Sequence, residues 1–322
     1  VRLMLNAHPR IAIPEELNYF KIGPYSHSWD EPGWDANGYT HFVDRMLERY
    51  LPLLPGLNAE AARSHLLSTE APTYRTPYAR LLSMWASAEG KARWGEKTPG
   101  NLFYVDRLID MFPAAQFIYV QRDPRAAVAS MQRVSFFPDD VIINALNRRK
   151  SWNVGYHLLT HVVPAAQRTT VRYEDLVHAP QHTARSLCTF LGEAYSSEML
   201  RFHTNAEQYM KAEAASSYNE AATSPISTDR VERWKSDLSS VDVAWVESIC
   251  AEEMAHFGYP TVGPNCPLSA RLMQYVKTAY WYIDMWRHRR YRPYMVRHEP
   301  GASLRGTVRR WQQRLSVSAA NS

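Results

Sequence analysis

The chain has 322 residues, of which 45% are apolar and 21% are charged, and its formal net charge is +5. This balance is typical of a folded globular protein and excludes a disordered chain, a collagen-like chain and a coiled coil. No run approaches the roughly 20 consecutive apolar residues that a bilayer-spanning helix needs, so the sequence predicts no membrane span.

Helix and strand signals alternate along the chain, after an opening apolar pattern at residues 1–5 that is typical of a helix. Apolar, β-rich runs predict three strands, at residues 93–96, 116–121 and 169–173, the second of them buried. Helices are predicted at residues 40–50, 76–89, 99–112 and 243–257. Two more are predicted, one that begins at Pro124 and a later one that ends at Gly192. Thr98 and Asp123 are the predicted N-caps of two of these helices, each with proline at the first helical position. The alternation predicts an α/β fold with a central parallel sheet flanked by helices.

Basic side chains follow two of the predicted strands. In open parallel sheets, ligands bind beyond the carboxyl ends of the strands, so Lys97, Arg122 and Arg125 are expected to converge there as an anion site. Two helix N-termini beside them would add to the attraction for negative charge. The alternative is structural: Arg122 would pair with Asp123 or Glu174 and only support the sheet.

Ser130 lies eight residues after Arg122, on the helix that Asp123 is predicted to cap. It shares a helix face with Ala126 at i,i+4 spacing, and Ala126 is small enough to leave room for a ligand. This arrangement would add a hydroxyl group to the predicted anion site.

Five segments of the sequence, taken in order, resemble the sulfotransferases that use 3′-phosphoadenosine 5′-phosphosulfate (PAPS). Residues 122–130, RDPRAAVAS, are similar to the 3′-phosphate-binding motif of that family. The other similar segments are LNAHPRIAIPEE at 5–16, GEKTP at 95–99, RYEDLV at 172–177 and STDRVERW at 227–234. Order and spacing hold over residues 1–262. The resemblance implies a P-loop NTPase-like sulfotransferase fold and an enzyme that transfers a sulfuryl group to a hydroxyl or amine.

The resemblance also implies roles for single residues. Arg122 and Ser130 would hold the 3′-phosphate of PAPS, where arginine can bind bidentately and lysine cannot. Tyr173 and Arg233 would lie near the nucleotide.

On the acceptor side, the resemblance implies that Glu16 is the general base and that Lys97 neutralises charge on the leaving or bridging oxygen. Glu15 is the alternative base if the register is shifted by one residue. No metal is expected, because lysine and arginine supply the countercharge.

The family's phosphosulfate loop, whose backbone N–H groups cradle the 5′-phosphosulfate, would lie immediately before Val1. We therefore expect a chain truncated at its start, which by itself binds PAPS poorly and turns over little. The alternative is a non-catalytic nucleotide- or membrane-binding protein derived from this fold.

Two segments are predicted: a sulfotransferase domain at 1–266 and a basic, aromatic C-terminal extension at 267–322. The extension holds 11 Lys+Arg and 2 Asp+Glu, so it carries +9 while the rest of the chain carries −4. Such a segment can lie on an anionic membrane surface, dock on the acidic body or contact a partner copy in a homodimer. Docking on the body or on a partner copy is favoured for residues 270–297, and a solvated or membrane-touching end for the rest. No nucleic-acid partner is predicted.

The acceptor is left open among small phenols, peptide tyrosines, carbohydrates and lipids, with a carbohydrate or lipid-linked acceptor favoured. The aromatic residues between 19 and 50 could stack on sugars or pack as core. Three cysteines without a CxxC pair favour a reducing compartment, so we expect a cytoplasmic protein with membrane association through its extension.

Overall fold

The computed structural model describes residues 1–21, 36–70, 72–209 and 223–287. In these ranges four short strands form two parallel pairs, β1 Ile11–Ala12 with β2 Arg93–Trp94 and β3 Phe117–Gln121 with β4 Arg168–Arg172. The predicted strands and their parallel pairing are confirmed. β3 is only partly buried, because Val120 is exposed.

Helices make up most of the rest of the described chain. Up to Gln121 they are α1 Arg2–Asn6, α2 Ala36–Tyr50, α3 Ala59–Leu67, α4 Arg75–Ala88 and α5 Val105–Met111. After β3 come α6 Pro124–Met131, α7 Val141–Lys150 and α8 His157–Val162, and after β4 come α9 Tyr173–His178 and α10 Pro180–Leu191. The last are α11 Trp234–Asp237, α12 Ser240–Ile249, α13 Ala251–His256 and α14 Leu268–Arg287. Shorter 3-10 helices span Tyr19–Lys21, Leu51–Leu53, Pro99–Tyr104, Ala165–Gln167 and Ser197–Tyr209, and a π-helical turn spans Ser151–Tyr156.

The chain divides into two compact units, each made of two segments. Unit 1 comprises Val1–Gln121 and Val163–Thr228, and it contains all four strands. Unit 2 comprises Arg122–Val162 and the residues from Asp229 onward, and its described part is helical.

Unit 1 has two apolar cores. The larger one lies among α2, α3 and α4, where Tyr19 stacks on Tyr78 with ring centroids 4.2 Å apart. The smaller one joins α1 and β1 to β4, α9 and α10. Tyr19 and Tyr39 are both buried, so these two aromatic residues pack as core. Phe20 is buried in the same core, whereas Tyr25, Trp29 and Trp34, the other candidates for sugar stacking, lie outside the described residues.

Unit 2 packs α6, α7 and α12 around a core that includes Val128, Ile142 and Val246. The helix predicted at 243–257 is two helices, because the backbone at Cys250 leaves helical values (φ −101°, ψ 18°). Ser239 caps the first of them in a capping box with Asp242, which explains why the helix begins earlier than predicted. No helix among the described residues is long and apolar enough to cross a bilayer.

Two of the predicted helix boundaries are confirmed by the local geometry. The Asp123 carboxylate accepts a hydrogen bond from the backbone N–H of Arg125, and Pro124 opens the helix. Gly192 ends α10 in the left-handed conformation, with φ +74°, which a side chain would disfavour.

Candidate active site

Glu16 and Lys97 lie at one edge of the parallel pair β1–β2. Glu16 follows β1 by four residues and Lys97 follows β2 by three, and parallel strands present their carboxyl ends on the same side. The Lys97 ammonium donates a hydrogen bond to Glu16 Oε1 and forms an ion pair with it. The structure thus brings together the two residues that the sequence predicts to be catalytic.

This ion pair is open to solvent. The side chain of Lys97 is 50% exposed and that of Glu16 is 37% exposed. Exposed pairs of this kind contribute little to the stability of a fold, about 0–1 kcal/mol. A substrate can reach both groups, since neither is sealed by neighbouring side chains.

Gly95 lets the two strands approach closely just before this edge. Its backbone N–H donates to the carbonyl of Ala12 at 2.8 Å, which extends the pairing beyond β2. A Cβ atom on Gly95 would lie 3.2 Å from Ile13 Cγ1. A side chain at Gly95 would therefore require the Ile13 side chain to shift by a few tenths of an ångström.

Glu96 holds the segment around Glu16 in place through hydrogen bonds. One of its carboxylate oxygens accepts hydrogen bonds from the backbone N–H of Leu17 and from the Thr98 hydroxyl. The other accepts from the side-chain amide of Asn101. Two of these donors flank Glu16 and Lys97 in sequence, so Glu96 fixes both chain segments relative to each other.

Thr98 and Asn18 complete this network. The Thr98 hydroxyl accepts a hydrogen bond from the Asn18 backbone N–H at 3.1 Å. Asn18 has φ +54°, the left-handed conformation that asparagine tolerates better than most residues. Thr98 occupies the predicted N-cap position before Pro99, but its side chain makes no capping bond to the helix, because its hydroxyl is used by Glu96 and Asn18.

The pKa of the Glu96 carboxyl is raised above its ordinary value. Burial is the main cause, since it penalises the charged form, and the nearby charge of Glu16 raises the pKa further. The hydrogen bonds from Thr98 and Leu17 act in the opposite direction and only partly compensate. The Tyr78 phenol nearby has its pKa raised as well, mainly by burial and then by the negative charge of Glu96.

This raised pKa predicts how stability depends on pH. The folded chain holds the Glu96 proton more tightly than the unfolded chain does, so the free energy of unfolding falls as the pH rises above about 4.5. Glu96→Gln removes the titrating group, and we expect this part of the pH dependence to disappear. Urea denaturation of both proteins at several pH values measures it.

Glu48 provides the control for that experiment, because it is an exposed carboxylate on α2. Glu48→Gln is expected to leave the slope of stability against pH unchanged. Equal slopes in wild type and Glu96→Gln would show that Glu96 has no raised pKa in the folded state.

Arg125 does not belong to an open anion site, which corrects the sequence prediction. Its guanidinium is buried, donates to Asp123 at 2.7 Å and to Glu247 at 2.7 Å, and lies 4.0 Å from the ring centroid of Trp234. Burial opposes its charge, but the bonds to Asp123 and Glu247 outweigh burial and raise the pKa of Arg125. Its role is structural, inside unit 2.

Arg122 begins unit 2 and is partly buried. Its guanidinium donates to the carbonyl oxygen of Arg230 at 2.9 Å, which ties the start of α6 to the residues before α11. Arg148 in turn donates to the Arg122 carbonyl at 3.4 Å. These contacts hold the Arg122 backbone and one end of its guanidinium in place.

Ser130 lies in the last turn of α6 and is exposed, so its hydroxyl is accessible to a ligand. Ala126, predicted to leave room for that ligand, is instead buried against Trp234 and Leu238. Ala126 therefore anchors α6 to its own unit, while Ser130 remains on the outer side of the helix.

The two remaining predicted site residues lie in different units. Tyr173 is the first residue of α9, directly after β4 in unit 1, and is partly buried. Arg233 precedes α11 in unit 2, where its guanidinium lies 3.8 Å from Asp237. Asp237 is also bound by Arg133 at 2.5 Å, so Arg233 shares this carboxylate.

Glu96 and Asn101 are the functional residues that sequence reasoning missed. Glu96 was visible in the GEKTP segment but had no assigned role. The strand alternation offered a signal, because residues two apart share a face of a strand. Trp94 packs against the larger core of unit 1. Alternation along the strand therefore predicts that the side chain of Glu96 points toward the core and that of Lys97 toward solvent.

The family model of the Sulfotransferase family matches residues 1–197. The solved sulfotransferase domain from the Synechococcus PCC 7002 olefin synthase is similar, with a TM-score of 0.56 and 21% identity over 80% of this chain and 89% of that chain. The sulfotransferase domain from the curacin biosynthetic pathway has a TM-score of 0.53 and 16% identity over 83% of this chain and 93% of that chain. These likenesses show the α/β, P-loop-like fold that the sequence predicts.

Proposed function

The chain belongs to the sulfotransferase family, whose members are transferases of sulfur-containing groups, and from this we propose that it moves a sulfuryl group from PAPS to an acceptor hydroxyl or amine. The observation that carries the proposal is the exposed Glu16–Lys97 pair at the carboxyl edge of β1 and β2. A carboxylate and an ammonium side by side supply a proton acceptor and a fixed positive charge at one place.

Glu16 is the general base in this proposal. Its carboxylate takes the proton from the acceptor as the acceptor oxygen or nitrogen forms its bond to sulfur. The Leu17 backbone bond to Glu96 and the Asn18 bond to Thr98 hold the chain on the C-terminal side of Glu16. The carboxylate therefore has a defined position before the acceptor arrives.

Lys97 provides positive charge near the reacting oxygens. Sulfuryl transfer resembles phosphoryl transfer in having a loose transition state, in which positioning and fixed charge provide most of the rate enhancement. Bound PAPS would supply the sulfuryl group and leave as 3′-phosphoadenosine 5′-phosphate. The exchange needs no redox partner, since one bond to sulfur forms and another breaks.

Arg122 and Ser130 suit a phosphate by their chemistry. Arginine offers a planar, permanently charged donor set, and the serine hydroxyl adds a donor. Ser130 is exposed and Arg122 is partly exposed, so a ligand can reach both from solvent. We assign the 3′-phosphate of the nucleotide to these two residues, and Tyr173 and Arg233 to its surroundings.

Titration calorimetry with 3′-phosphoadenosine 5′-phosphate tests the nucleotide assignment, with adenosine 5′-phosphate as the control ligand. We expect a clear preference for the 3′-phosphorylated ligand. Arg122→Ala should weaken that binding by about 1.5–3 kcal/mol, the scale of a hydrogen bond to a charged group, and leave adenosine 5′-phosphate unaffected.

Equal affinity of Arg122→Ala and wild type for 3′-phosphoadenosine 5′-phosphate would remove Arg122 from the site. Failure to bind both in this chain and in a form that carries a phosphosulfate loop ahead of Val1 would contradict PAPS as the donor. If a form that carries the phosphosulfate loop binds the nucleotide but transfers no sulfuryl group to any acceptor in a panel of carbohydrates, lipids and phenols, the non-catalytic alternative is favoured.

A further inference from the structure

The last described helix, α14, carries a row of large apolar side chains on its outer side. This outer stripe consists of Leu268, Leu272, Met273, Val276, Tyr280 and Ile283, all of them between 48% and 83% exposed. Leu268, Leu272, Val276 and Tyr280 recur every four residues, and Ile283 follows Val276 by seven, which places them along one helix face. A 20-residue helix is about 30 Å long, so the stripe is long for an exposed apolar surface.

The opposite face of α14 is fixed to unit 2. Trp281 is buried and its indole N–H donates to Asn147 at 3.1 Å, while Lys277 forms an ion pair with Asp140. The indole of Trp245 donates to the Ala270 carbonyl at 2.9 Å. These contacts are spread along the helix, so α14 cannot rotate to bury the outer stripe in its own unit.

Exposed apolar patches of this size usually mark sites that bind a protein, a membrane or a ligand. The stripe itself contains no charged residue, and Arg287 lies at its C-terminal end. Tyr280 adds an amphipathic ring, the type of side chain that favours the boundary between lipid and water.

The charge of the sequence that follows α14 points to the partner. Residues 288–322 contain eight arginines and one glutamate, a net charge of +7. Anionic lipid surfaces attract such segments by about 1 kcal/mol for each basic residue near the surface. A second copy of the chain would bring the same positive charge and would be repelled where the two segments meet.

We propose that the outer stripe of α14 lies on an anionic membrane surface. The apolar side chains enter the boundary between headgroups and acyl chains, and the basic residues beyond Arg287 bind the acidic headgroups. In this arrangement α14 binds the membrane through its outer stripe, while its opposite face remains packed against the other helices of unit 2.

Co-sedimentation of the full chain with lipid vesicles tests this proposal. The vesicles are phosphatidylcholine alone or phosphatidylcholine mixed with phosphatidylserine. We expect binding to the mixed vesicles, weaker binding at high salt, and little binding to phosphatidylcholine alone. The triple variant Leu272→Gln, Val276→Gln, Ile283→Gln should bind at least about tenfold more weakly, because binding scales with the apolar area that is buried.

The matched control is the double variant Phe136→Gln, Val262→Gln, which replaces exposed apolar residues outside α14. It should bind the vesicles as wild type does. Unchanged binding of the triple variant would overturn the role of the stripe, and equal binding to both vesicle types would overturn the anionic surface. A dimer seen by light scattering that the triple variant abolishes, without vesicle binding by wild type, would assign the stripe to a second copy and overturn the proposal.

Discussion

In a form of the protein that carries the phosphosulfate loop, Glu16→Gln is expected to lower turnover by about 10²- to 10⁴-fold and to leave the affinity for 3′-phosphoadenosine 5′-phosphate nearly unchanged. Glutamine keeps the size of the side chain and its hydrogen-bonding oxygen, but it cannot take a proton from the acceptor. Release of 3′-phosphoadenosine 5′-phosphate from PAPS, measured across the acceptor panel, reports turnover. Calorimetry of the same variant reports nucleotide affinity.

Glu15→Gln is the matched control, since it changes the neighbouring carboxylate in the same way. We expect it to retain most of the activity, because the structure pairs Glu16 with Lys97. Loss of activity in Glu15→Gln alone would move the base by one residue. An unchanged rate in Glu16→Gln would show that Glu16 is not the base.

Arg125→Ala is expected to reduce the free energy of unfolding by about 3–5 kcal/mol. The substitution leaves the buried carboxylates of Asp123 and Glu247 without their cation and removes the guanidinium from Trp234. Glu247 would keep only the backbone N–H bonds from Val262 and Gly263, which cannot neutralise its charge. Urea denaturation followed by tryptophan fluorescence measures the loss.

Arg133→Ala is the control for this comparison. Arg133 binds Asp237 through two hydrogen bonds, but its side chain is 47% exposed, so its removal should cost about 1 kcal/mol or less. If the two variants lose similar stability, burial of Arg125 does not make its ion pairs more stabilising than the exposed Arg133–Asp237 pair. A selective loss of nucleotide binding in Arg125→Ala, with stability intact, would restore Arg125 to the anion site.

Short-range signals in the sequence were sufficient for much of the fold. Asp123 with Pro124 specified the start of α6, and Gly192 specified the end of α10, because each acts on backbone groups a few residues away. The resemblance also placed Glu16 and Lys97 in one site, and the structure pairs them. The nucleotide-binding roles of Arg122, Ser130, Tyr173 and Arg233 stay predictions.

The predictions for Arg125 and Ala126 were wrong because the residues that contact them are distant in sequence. Arg125 is held by Glu247, 122 residues away, and no local pattern reveals that pairing. Ala126 is buried for the same reason, since Trp234 covers it from a later helix. The helix α3 was missed although a local signal existed: Asn58 caps it by accepting from the Ala61 N–H.

The long sequence separation between Glu16 and Lys97 has a consequence for how the protein is made. Their pairing spans 81 residues, and synthesis proceeds at about 5–20 residues per second, so Lys97 leaves the ribosome roughly 4–16 s after Glu16. During that interval β1 lacks its partner strand β2, and Glu16 lacks the ammonium group of Lys97. The backbone pairing of β1 can therefore form only after β2 has been translated.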